Sequence, residues 1–174
     1  MVIFLCGFMG SGKSTLFNRL QAASPEIDGI DLDHEILQKF GRDHKSLGEL
    51  IDDLGLEVFR QMETGLLLDY CRKKGDWLIS LGGGALSLEN LSAIKSSATT
   101  SLVWLDTPFE ECWRRIEGDT NRPLVRKGRT ELQRLYRERL SLYREAKARL
   151  DPKQQNEIKN FQELKVVCEK AMEN

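Results

Sequence analysis

Residues 7–14 read GFMGSGKS and satisfy the pattern G-x-x-x-x-G-K-[ST] in full. An apolar run, VIFLC, precedes them and a helical pattern follows. That is the context in which a glycine-rich turn aims backbone N–H groups at phosphate oxygens and a helix N-terminus adds positive potential. Gly10, Ser11 and Gly12 would form the cradle, Lys13 would hold the β- and γ-phosphates, Ser14 would ligand Mg²⁺, and Thr15 extends the loop into the helix. A nucleoside triphosphate is the implied ligand. The N-K-x-D base-reading pattern of GTPases is absent, and the polar stretch 118–128 suits a closing loop, so a small-molecule kinase is the favoured class.

Three further groups could serve the phosphate acceptor. Asp31 and Asp33 lie where a second strand should end, and ligands of open α/β sheets bind off the C-terminal strand ends. One carboxylate could support Mg²⁺ through water and the other could grip a hydroxyl and accept its proton. Alternatively, Asp33 only caps the next helix. Arg139 falls in the middle of the helical stripe Leu132, Tyr136, Tyr143, Ala146 and Leu150. An inward guanidinium needs a partner, either a structural carboxylate or that of a substrate. Arg60 and Glu63 stand three apart, as a surface ion pair or as an arginine held ready by its glutamate. Gly82, Gly83 and Gly84 follow WLISL, and three glycines in a row imply either a sharp exit turn or a backbone pressed close to a ligand.

Positioning these residues requires strands alternating with helices. The patterning predicts strands over 2–6, 27–31, 77–81 and 101–106, and helices over 13–23, 33–40, 46–73 with a break near Gly55, 87–96, 129–148 and from Asn160 onward. Thr107-Pro108-x-Glu110 reads as an N-cap, first-turn proline and capping-box glutamate. A fifth strand belongs somewhere in 149–159, although no segment there has a strand pattern. The fold class is α/β: a P-loop NTPase-like three-layer α/β/α arrangement around a mostly five-stranded parallel sheet, with a mobile lid at about 118–128. The whole chain, 1–174, reads as one kinase domain with its phosphate loop at 7–15 and its substrate-binding region at about 31–63.

Bulk properties agree. The net charge of −1 argues against nucleic acid or acidic membrane as a partner. Residues 114–149 carry 12 Lys/Arg against 5 Asp/Glu, whereas residues 31–63 carry 9 Asp/Glu against 4 Lys/Arg, a pattern that fits either solvated helix faces or a phosphate-binding side opposite a metal-binding one. Cys6, Cys71, Cys112 and Cys168 show no C-x-x-C spacing and fit free thiols in a reducing cytoplasm. The opening apolar run is too short for a membrane span, and a monomer is the default.

The set GFMGSGKST, DLDHEI, EVFRQMET, SLGGGA, NRPLV and RLSLYREA, in this order, resembles the shikimate kinases over roughly residues 2–148. The resemblance implies ATP-dependent phosphorylation of the 3-hydroxyl of shikimate, with ATP and Mg²⁺ required. It implies that Lys13 and Ser14 serve ATP and metal, that Asp31 supports the metal through water, and that Asp33 binds the acceptor hydroxyls as base or orienter. Arg60 and Arg139 would bind the shikimate carboxylate, with Glu63 holding Arg60. Gly82, Gly83 and Gly84 would lie against the ring, Arg122 would reach the phosphates from the lid, and Arg115 would sit near the adenine. Beyond Leu150 the chain departs from the family pattern.

Overall fold

A computed structural model describes residues 1–41, 44–119 and 124–173. Its elements run β1 (Val2–Cys6), α1 (Lys13–Ala23), β2 (Asp28–Asp31), α2 (Leu32–Phe40), α3 (Leu47–Leu54), α4 (Leu56–Cys71), β3 (Trp77–Ser80) and α5 (Leu88–Lys95). They continue with β4 (Thr100–Leu105), α6 (Phe109–Ile116), a 3₁₀ turn (Val125–Lys127), α7 (Arg129–Tyr143), β5 (Ala148–Leu150), α8 (Pro152–Glu157) and α9 (Phe161–Glu173). The strands form one five-stranded sheet in the order β2-β3-β1-β4-β5, with every pairing parallel.

The apolar run at the start of the chain explains this order. All five residues of β1 are buried, as a strand covered on both faces must be. Val2, Phe4 and Cys6 join the larger core under α2, α4, α5, α6 and α7. Ile3 and Leu5 point the other way, into a second core closed by Leu16 and Leu20 of α1 and by Phe161, Leu164 and Cys168 of α9. Residue alternation along one strand therefore feeds both outer layers.

Local signals work where they are strong. Ser46 and Ser87 accept hydrogen bonds from the backbone N–H groups of Glu49 and Asn90 and cap α3 and α5. Gly55, at φ 86°, ends α3 and opens α4, which is the break that the sequence places there.

Three expectations need correction. The helix expected over 129–148 ends at Tyr143, and the missing strand is Ala148–Leu150, which begins before the window searched for it. Only Ala148 and Leu150 are buried in it; Arg149 between them is exposed, pairs with Asp106 and lies 5.0 Å over the Trp104 ring. Three residues of alternating apolar and charged character resemble the tail of an amphipathic helix, and only pairing with β4 distinguishes them. Thr107 caps nothing: α6 starts at Phe109 without a side-chain cap, and the Thr107 hydroxyl instead donates to the Ser11 carbonyl at 2.8 Å. The alternative reading of Asp33 as the cap of α2 also falls away, because the helix begins at Leu32 and Asp31 caps it.

Phe4 is fully buried at the centre of the sheet. Phe4→Ala should lower unfolding free energy by about 3–5 kcal/mol, measured as the shift of a urea transition. A loss below about 1 kcal/mol would mean that β1 is not the packing centre described here.

Candidate active site

The loop between β1 and α1 has the backbone its sequence promises. Gly10 has φ 78° and Gly12 has φ 103°, both in the left-handed region that favours glycine. A Cβ on Gly10 would also come within 2.5 Å of the Cys112 carbonyl oxygen. Lys13 folds back and donates to the carbonyls of Gly7 at 2.7 Å and Phe8 at 3.1 Å. Burial depresses its ammonium pKa to about 8, with Asp33 and Asp31 among the negative groups that oppose the drop. It remains mostly charged at neutral pH, and a polyphosphate in the loop would raise its pKa further.

A cavity of about 600 Å³ opens beside this loop. Lys13, Ser14 and Thr15 line it, with Asp31, Asp33, Gly82 and Gly83 on the same wall set as the strand ends. Arg115, Ile116, Pro152, Gln155 and Asn156 complete the lining. Arg115 donates to the Gly10 carbonyl at 2.9 Å and pairs with Glu111. Asp31 serves two purposes here. Its Oδ1 accepts from the N–H groups of Asp33 at 3.1 Å and His34 at 3.3 Å, and the side chain still faces the cavity.

The glycine triplet organises the other charges. None of Gly82, Gly83 and Gly84 has a left-handed φ, so a special turn conformation is not what excludes side chains there. A turn is present, closed by a hydrogen bond from the Ala85 N–H to the Gly82 carbonyl at 3.1 Å, but any residue could form it. What a side chain would meet is charge. A Cβ on Gly82 would run into the Asp33 carboxylate, and one on Gly84 into the Arg60 guanidinium. A Cβ on Gly83 would lie 3.5 Å from Arg139 Nη1. Gly82 and Gly84 thus make room for charged side chains arriving from α2 and α4, while at Gly83 a Cβ would only touch Arg139 of α7.

Each of those side chains is held. Arg60 pairs with Glu63, which is buried. Burial pushes the Glu63 carboxyl up to about 7, against the lowering influence of Arg60 and Arg139 and with added upward pressure from Asp33. The Arg139 Cζ lies 5.8 Å from the Phe8 ring centroid. Its Nη1 is shielded from solvent and has no hydrogen-bond partner among the described residues, which costs stability for a donor on a permanent cation. Tyr143, one turn further along α7, donates to the Gly83 carbonyl at 3.2 Å and ties that helix to the triplet.

The structure therefore brings together Lys13, Ser14, Asp31, Asp33, Arg60, Glu63, Gly82, Gly83, Gly84, Arg115 and Arg139. Arg122 lies outside the described residues. Sequence reasoning missed Arg19, Pro152, Gln155 and Asn156, which also line the cavity. A signal existed for α8: Asp151-Pro152-x-Gln154 is a capping box with proline in the first turn, and both of its hydrogen bonds form. Among the described residues no three His, Cys, Asp or Glu side chains cluster as a metal centre, and no helix is long and apolar enough to cross a membrane.

Comparison with known proteins is direct. The family model described as shikimate kinase matches residues 9–169. The shikimate kinase of Persephonella marina is 35% identical over 149 residues, covering 85% of this chain and 87% of that protein. The solved shikimate kinase of Acinetobacter baumannii, in complex with shikimate, superposes with a TM-score of 0.76 at 27% identity, over 95% of this chain and 90% of that one. That of Aquifex aeolicus gives 0.77 at 30% identity, over 97% and 96%.

The buried carboxyl makes a stability prediction. A free glutamate loses its proton near 4.5, whereas folded Glu63 loses it near 7. Between those values the folded state binds more protons than the unfolded state, so stability falls as pH rises. Its contribution is complete below about 4.5 and is lost through 7. Glu63→Gln should remove this component, seen as a flatter pH dependence of the urea midpoint. Identical slopes for the two proteins would refute the assignment.

Proposed function

The chain belongs to the shikimate kinase family, and from that premise we propose which of its residues carry the reaction. The reaction is ATP-dependent phosphorylation of the 3-hydroxyl of shikimate. The observation that supports the site reading is the convergence of Asp33, Arg139 and Arg60 on three successive glycines, with Arg139 Nη1 left unpaired among the described residues. An acceptor bearing one carboxylate and several hydroxyls suits this set: its carboxylate can engage the two guanidinium groups. Arginine forks match a carboxylate in two-point fashion, and Asp33 can accept from a hydroxyl.

In this reading Arg60 and Arg139 hold the shikimate carboxylate, and Glu63 keeps Arg60 aimed. The ring lies against the backbone of residues 82–84. Asp33 orients the attacking hydroxyl and takes its proton as that oxygen bonds to the γ-phosphorus, while the bond from the γ-phosphorus to the bridging oxygen breaks and ADP leaves with that electron pair. Lys13 leaves the Gly7 and Phe8 carbonyls for the β- and γ-phosphates, while the loop N–H groups at Gly10, Ser11 and Gly12 receive the remaining phosphate oxygens. Ser14 and Thr15 lie at the same cavity wall. Catalysis is then mainly alignment and charge stabilisation. Arg115 flanks the base, and Arg122 belongs to the loop that closes and meets the phosphates.

Ser14 and Asp31 suit Mg²⁺: both are hard oxygen donors lining one cavity, and Mg²⁺ prefers few protein oxygens, its own waters and substrate phosphates. When bound there it neutralises charge on the phosphate oxygens. We read the working unit as a monomer acting on small molecules, and the net charge of −1 fits neither nucleic acid nor an acidic membrane as a partner. The four free thiols fit the cytoplasm.

Three substitutions test the assignment by shikimate-dependent ADP release. Asp33→Asn should lower kcat about 100-fold or more while ATP still binds. Arg139→Ala should raise KM for shikimate about 10- to 100-fold, and Arg139→Lys should restore little, because a single ammonium cannot reproduce the fork. Gly84→Ala should impair shikimate binding by displacing Arg60, without impairing ATP binding. Near-normal kcat in Asp33→Asn, or an unchanged KM in Arg139→Ala, would overturn the respective role.

A further inference from the structure

Two buried polar residues outside this set connect its halves. Thr107, 1% exposed, follows β4; Gln155, 6% exposed, is in α8. The Gln155 amide nitrogen donates to Thr107 Oγ1 and to the Leu150 carbonyl, each at 3.1 Å. The Thr107 hydroxyl in turn donates to the Ser11 carbonyl in the phosphate loop. Because both donor directions of the amide are engaged, its oxygen faces away from them, toward the loop. A Cβ on Gly12 would lie 2.9 Å from that oxygen. From α1, Arg19 donates to the Gln155 carbonyl, so the residue is held from a third side. The Thr107 carbonyl accepts from the Tyr136 hydroxyl of α7 at 3.2 Å, one turn before Arg139.

We propose that Gln155 and Thr107 are positioning residues for the nucleotide: a buried relay that fixes residues 11 and 12 of the phosphate loop against α8. Neither need touch a reacting atom. Their effect passes through the Ser11 carbonyl and the packing on Gly12, which set the direction of the N–H groups that follow. The same helix contributes Pro152 and Asn156 to the cavity wall. A nucleoside seated on that wall therefore presses on the element that supports its own phosphates. The inference rests on the kinase reading above and predicts that base-side contact and phosphate alignment are coupled.

The test uses full-length protein and shikimate-dependent ADP release. Wild-type turnover establishes the kinase reading independently of the variants. Gln155→Leu keeps the size and removes both amide functions, and Thr107→Val keeps the shape and removes the hydroxyl. Each should raise KM for ATP about tenfold and leave KM for shikimate within about twofold. Thr107→Ser, which retains the hydroxyl, should recover most of the loss seen in Thr107→Val. The double variant should be no worse than the poorer single one, because the two act through one chain of bonds. A merely structural role would lower the melting temperature and leave KM for ATP unchanged, which would overturn the proposal. Additive losses in the double variant would overturn the relay. Should Gln155→Leu fail to fold, the Thr107 pair decides alone: equal KM for ATP in the Val and Ser variants defeats the proposal.

Discussion

Every strand of the sheet runs in the same direction, and the rest of the molecule follows from that. Parallel strands need long crossovers, so helices cover both faces and all five carboxyl ends open at one edge. The phosphate loop leaves β1, Asp31 ends β2, the glycine triplet leaves β3 and Thr107 follows β4. Even α8, which lines the cavity, begins two residues beyond β5. Residues more than a hundred positions apart in the chain thus share one cavity, with no need for the chain to bend toward it.

At that edge the molecule departs from the rules that govern its core. It gathers Asp33, Glu63, Arg60 and Arg139 in a partly buried space, where mutual pairing is incomplete. Glu63 gives Arg60 a partner, but the carboxyl is desolvated enough to be pulled toward its neutral form. Arg139 keeps a shielded donor with no acceptor among the described residues. Such arrangements cost stability in the empty protein and are offset when a ligand supplies the missing group. The absence of side chains from Gly82 and Gly84 is the steric condition for it, since charges from three separate helices reach one stretch of backbone.

Much of this was legible before any coordinates. The phosphate loop declares itself because the chemistry of holding phosphate requires backbone, lysine and hydroxyl at fixed spacing, all within eight consecutive residues. Strong caps such as Ser46 and Ser87 are equally local, and so is the break at Gly55. Periodicity also placed Arg139 on the inward stripe of its helix, although the stripe could not say what it faced. Local reasoning failed where a residue's role depended on a remote partner. Thr107 has the context of a helix cap and serves Ser11 instead. Arg149 looks like the end of a helix and belongs to an edge strand.

The sequence by itself determined the alternating strand and helix pattern, the phosphate-binding chemistry and the small set of charged residues able to handle an acceptor. Those properties depend on spacing within a few residues, where backbone geometry alone relates one side chain to the next. Only the tertiary structure decided between the alternatives that spacing left open. It showed that Gly82 and Gly84 exclude side chains for want of room and not for a special turn. It also showed that Asp31 caps α2 while Asp33 lines the cavity, and that Gln155 reaches the phosphate loop. Each of these depends on packing between elements distant in the chain, and local spacing carries no information about that.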